Sequence, residues 1–66
     1  MSDDAEVFEA LRPTLLGLAY GLLGELAAAE DIVQEAWIRW AKRQVEVDAP
    51  RAYLSRIVTN LSLNQR

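Results

Sequence analysis

Two groups of polar residues have types and spacings suited to binding chemistry. The first lies in Ala29-Glu30-Asp31-Ile32-Val33-Gln34-Glu35-Ala36-Trp37-Ile38. Asp31, Gln34, Glu35 and Ile38 recur at steps of three and four, which places them on one face of a helix. Carboxylates and an amide accept hydrogen bonds, and Ile38 adds one apolar contact. The face therefore suits a basic helical partner, and it also suits a solvated acidic surface. The second group is Arg39, Lys42 and Arg43, followed by Arg51, Tyr53, Arg56 and Asn60. Tyr53, Arg56 and Asn60 share one edge of a helix. Arginines fit phosphates, and an aromatic ring or amide beside them can stack on or hydrogen-bond an unstacked base. The same residues also admit a plain structural role, Tyr53 in the core and Arg56 paired with an acid.

Catalysis has less to draw on. The chain contains no histidine and no cysteine, so the commonest general base and the commonest metal ligands are missing. Carboxylates alone make a hard-oxygen site at best, and no segment resembles a calcium loop. No nucleophile is paired with a base. The expectation is a binding protein with no catalytic residues, no metal and no cofactor.

The elements that must position these residues are helices. Val7/Phe8, Leu11, Leu15, Leu18/Ala19 and Leu22 follow the period of an amphipathic helix over about Asp4 to Leu23. Asp3 can cap it, with Glu6 completing a capping box, and Gly24 suits its C-terminal turn. Pro13 lacks an N–H and crowds the Glu9 carbonyl, which predicts a kink or a split into two helices. Gly17 and Gly21 lie four apart and would let another helix approach closely. A second helix is predicted over about Ala28 to Lys42, with Ile32, Val33, Ala36, Trp37 and Trp40 as its apolar stripe. Both tryptophans belong to the core on this pattern. Glu30 and Asp31 at its start, and Arg39, Lys42 and Arg43 at its end, would favour the helix dipole. Pro50 opens a third helix to about Asn64, striped by Tyr53/Leu54, Ile57/Val58 and Leu61. The fold class is all-α, a bundle of three helices, or four if Pro13 divides the first.

The 66 residues allow one small domain, and 52% are hydrophobic, too many for a disordered acidic tail. No apolar run reaches the length of a membrane span, and the acidic start at Met1-Ser2-Asp3-Asp4 is not a signal peptide, so a cytoplasmic location is expected. The net charge of −3 conceals a division: residues 1–35 carry −7 and residues 36–66 carry +4. Such asymmetry suits two different partners, or pairing within the fold.

Several segments together match a known family. Phe8-Glu9-Ala10-Leu11-Arg12-Pro13, Ala19-Tyr20-Gly21-Leu22-Leu23-Gly24, Ala29 through Trp40, and Pro50-Arg51-Ala52-Tyr53-Leu54-Ser55-Arg56-Ile57-Val58-Thr59-Asn60-Leu61 occur in that order. Over about residues 6 to 66 the chain resembles region 2 of bacterial sigma factors. It looks most like the extracytoplasmic-function group, within it the subtype that often carries a C-terminal extension. The resemblance implies a transcription-initiation module. Asp31, Gln34, Glu35 and Ile38 would bind the clamp helices of the largest subunit of the RNA polymerase core. The loop at about Arg43–Asp48 and the third helix would recognise the minus-ten promoter element as melted non-template single strand. Asn60 matches a position lining a pocket for a flipped base. Arg43, Arg51 and Arg56 would contact DNA. An anti-sigma factor is a further partner that the resemblance allows.

The chain departs from the family pattern in places. Ala28 stands where an aspartate commonly caps the second helix. The loop at Gln44–Ala49 lacks an aromatic seen in some relatives. The chain is expected to be a region of a longer protein. Leu15, Leu16, Leu22, Leu23 and Leu26 predict an apolar patch and self-association of the isolated domain. The competing reading is a helical protein-interaction domain that makes no direct contact with DNA.

Overall fold

Asp3 begins the fold. Its extended backbone and its carboxylate, which accepts the Ala5 N–H at 2.9 Å, start α1. The computed structural model describes residues 3–65 and forms them into three helices: α1 (Asp4–Leu23), α2 (Leu26–Lys42) and α3 (Pro50–Gln65). Met1, Ser2 and Arg66, which entered the expectations about export and charge, lie outside the described residues. The cap on α1 differs in detail from a capping box, because Asp3 bonds the second residue of the helix and not Glu6.

α1 runs through Pro13 as one helix of 20 residues, so the expected division into two does not occur. Burial on both sides of the proline explains this. Phe8 and Leu15 are fully buried, with Leu11 packed against the same core between them. The ring of Pro13 itself faces solvent. Gly24 ends α1 in the left-handed region at φ 73°, and its N–H donates to the Tyr20 carbonyl at 2.7 Å. The chain reverses there and α2 starts at Leu26, two residues before the expected Ala28. Glu30 and Asp31 therefore lie beyond the first turn of α2, where they add little to its dipole. Glu25 occupies the N-cap position without a side-chain hydrogen bond.

The core is the common interior of the three helices. Phe8, Leu15 and Ala19 from α1 meet Ala29, Ile32, Val33, Ala36 and Trp40 from α2, and Leu54 and Val58 from α3. Trp37 packs edge-on to Phe8, with ring centroids 5.3 Å apart. Both tryptophans thus serve the core, as their stripe positions predict. Gly17 and Gly21 face outward with open space where a side chain would stand, so no helix of the described chain uses them for close approach. Of the five leucines expected to form an apolar patch, Leu15 is wholly buried, Leu16, Leu22 and Leu23 are half-buried, and Leu26 is exposed. An apolar groove lined by Pro13, Leu16, Gly17, Tyr20 and Leu26 remains on that side. None of the described helices is long and apolar enough to cross a membrane.

Candidate functional site

α2 buries Ile32, Val33 and Ala36, so residues offset from that stripe must point outward. Asp31, Gln34 and Ile38 are accordingly exposed, and Glu35 is half-exposed. The Glu35 carboxylate accepts from Arg39 Nε at 3.4 Å along the same helix. The face expected from spacing exists as a surface: three acceptor side chains around the exposed Ile38. Gln34 also borders a shallow hollow between α1 and α2, with Arg12, Leu16, Glu30 and Val33.

The second group is divided by the fold. Arg51, Arg56 and Asn60 lie exposed on α3. Among the described residues, no carboxylate lies within 4 Å of Arg51 or Arg56. Tyr53 is half-buried, its ring 5.9 Å from that of Trp40. Between the 44–49 loop and α3 is a cavity of about 360 Å³ lined by Val47, Ala49, Ala52, Tyr53, Arg56 and Ile57. Its apolar walls, one aromatic ring and one free guanidinium suit a flat, weakly polar group next to an anion, as in a nucleotide. Asn60 stands one turn further along α3 and does not line the cavity. The loop expectation was right in place, since 44–49 carries no helix or strand and its Val47 packs on the core.

Arg43 is engaged elsewhere. Its Nη2 donates to Asp4 Oδ1 at 3.0 Å and its Nη1 to the Trp40 carbonyl at 2.9 Å. Its guanidinium carbon lies 3.6 Å from the centre of the Trp40 ring. Trp40 Nε1 in turn donates to the Asp4 carbonyl at 3.0 Å. The hydrogen bond from Arg43 holds the Asp4 carboxyl below the usual carboxylate range, burial opposing it in part. The same bond raises the Arg43 guanidinium above its already high value. Sequence proximity placed Arg43 in the basic group and the resemblance implied a DNA contact for it, and the arginine three residues after a tryptophan was the available hint of a stacked pair. Asp4 had no such signal, because its partner is 39 residues away. The cavity residues Val47, Ala49, Ala52 and Ile57 were also missed as a group, since small and apolar side chains have no chemical signature until the fold assembles them.

The family model for Sigma-70 region 2 matches residues 7–66. Over 58 residues the chain is 50% identical to a protein of Mycobacterium tuberculosis (strain ATCC 25618 / H37Rv) described as "ECF RNA polymerase sigma factor SigJ". That match takes in 88% of this chain and 19% of the relative, so the chain spans about a fifth of the relative's length. No solved structure matches.

Proposed function

The chain belongs to the sigma-70 region 2 family, and from that premise we propose that it binds the RNA polymerase core and recognises the minus-ten promoter element as melted non-template strand. It works as a binding module in the cytoplasm and makes or breaks no covalent bond. Asp31, Gln34, Glu35 and Ile38 on α2 dock on the clamp helices of the polymerase, where acceptors and one apolar side chain meet basic and polar groups. Arg51 and Arg56 hold phosphates, and Asn60 hydrogen-bonds a base edge. The observation that carries the strand-binding role is the cavity between the 44–49 loop and α3, with Arg56, which has no carboxylate partner among the described residues, among its walls. Extruding a base costs a few kcal/mol, so phosphate contacts and the polymerase must offset it. An anti-sigma factor that covered either surface would silence the module.

One observation favours the alternative of a protein-interaction domain without DNA contact: Arg43 is bonded within the chain, which leaves Arg51 and Arg56 as the exposed arginines of α3 and its preceding loop. The full-length protein assembled with polymerase core separates the two readings. Arg56→Ala with Asn60→Ala should weaken minus-ten strand binding about tenfold or more, at roughly 1–3 kcal/mol per lost contact, with core binding unchanged. Gln34→Ala with Glu35→Ala should do the reverse. Promoter opening equal to wild type in the α3 double variant would leave only the interaction domain.

A further inference from the structure

The contacts around Arg43 connect two distant parts of the molecule. Asp4 belongs to the first turn of α1, and Trp40 and Arg43 to the C-terminal end of α2. Arg43 is the C-cap of α2 and the residue from which the 44–49 loop departs, with an extended backbone at φ −62° and ψ 147°. Its side chain is fixed at three points: the Asp4 carboxylate, the Trp40 carbonyl and the Trp40 ring. Among the described residues, no side chain of 44–48 makes a hydrogen bond. The loop is therefore held at its start by Arg43, in its middle by packing of Val47, and at its end by the Ala49 carbonyl, which accepts the Tyr53 N–H at 3.0 Å. The other side of the same cluster reaches the cavity directly, since Trp40 packs against Tyr53 and Tyr53 is one of its walls.

We propose that the Asp4–Arg43–Trp40 contact is a positioning latch: by fixing the end of α2 to the first turn of α1, it keeps the 44–49 loop and Tyr53 in the shape that admits an unstacked base beside Arg56. The proposal rests on the strand-binding reading above. Arg43 acts through the loop and makes no phosphate contact, and Asp4, a negative charge, contributes to binding a polyanion.

The sign of one substitution tests this. Direct electrostatics predicts that removing a carboxylate tightens DNA binding, whereas the latch predicts that it weakens binding. The full-length protein with polymerase core is titrated with a fluorescent pool of randomised single-stranded DNA at several salt concentrations. Asp4→Asn should bind roughly three- to tenfold more weakly, with the salt dependence of wild type. Amide exchange should quicken across 44–49. Arg43→Lys keeps the charge but cannot stack flat while donating to two acceptors, and it should lose a similar factor. Glu9→Gln breaks the exposed Glu9–Arg12 pair on α1 and should leave binding unchanged, which controls for loss of any ion pair. Equal or tighter binding by Asp4→Asn overturns the latch. So does full affinity in Arg43→Lys, combined in Arg43→Gln with a salt slope lower by about 0.7, which marks a direct phosphate contact. An equal loss in Glu9→Gln also overturns it. Failure of the wild type to bind the pool defeats the strand-binding reading and the latch together. Binding by the wild type with no change in Asp4→Asn defeats the latch alone.

Discussion

The two ends of α2 are built differently. At its N-terminus Glu25 provides no side-chain cap, the exposed Leu26 follows, and the turn depends on the left-handed Gly24. At its C-terminus Trp40 is 1% exposed and tied by its indole N–H and by the stacked Arg43 to α1. Helix ends leave backbone groups without partners, and a fold can leave them to water or enlist distant residues. This helix does the first where it meets a simple reversal and the second where it meets the loop bordering the cavity. Its long-range ties are gathered at the end that leads into the loop bordering the cavity.

The largest test of that contrast is Trp40→Ala. Removing a buried tryptophan costs about 3–5 kcal/mol, a large share of what a domain of this size possesses. Chemical denaturation of the full-length protein should show this region unfolding at much lower denaturant, and a loss below 1 kcal/mol would mean that the tied end is not the strong one. The opposite end should respond in the other direction. Glu25→Ser supplies a good N-cap and is expected to stabilise by about 1 kcal/mol; no gain in the denaturation midpoint would show that the helix start is already satisfied. The smallest effect concerns acid. The Asp4 pKa is lowered in the fold, so its contribution is present above the unfolded value of about 3.9 and is lost as pH falls through the lower folded value. Stability measured from pH 5 down should fall more steeply in wild type than in Asp4→Asn, and parallel curves would remove Asp4 from the tied end.

The same two ends show what a sequence can disclose. The bounds of α1 were legible because Asp3 and Gly24 are local signals with local causes. Pro50 marked the start of α3 for the same reason, and α3 extends one residue past the expected Asn64. The start of α2 was placed two residues late because no capping side chain marks it. Of the two outcomes expected at Pro13, the split does not occur, since packing of Phe8, Leu11 and Leu15 outweighs the cost of a missing hydrogen bond. The glycine pair was misread because a four-residue spacing names a face without saying which way it points. The outward position of Asp31, Gln34 and Ile38 followed from periodicity, as did the exposure of Arg56 and Asn60. Asp4–Arg43 and the cavity were not legible, because each is created by residues far apart in the chain.

That separation has a kinetic consequence. A hairpin of α1 and α2 closes through the short turn at Gly24, whereas the Asp4–Arg43 pair joins its open ends, 39 residues apart. Contacts at the mouth of a hairpin form after the turn has brought the helices together and part before it opens. The tie therefore belongs to the last stage of folding, and changing it should speed unfolding while leaving the refolding rate almost untouched.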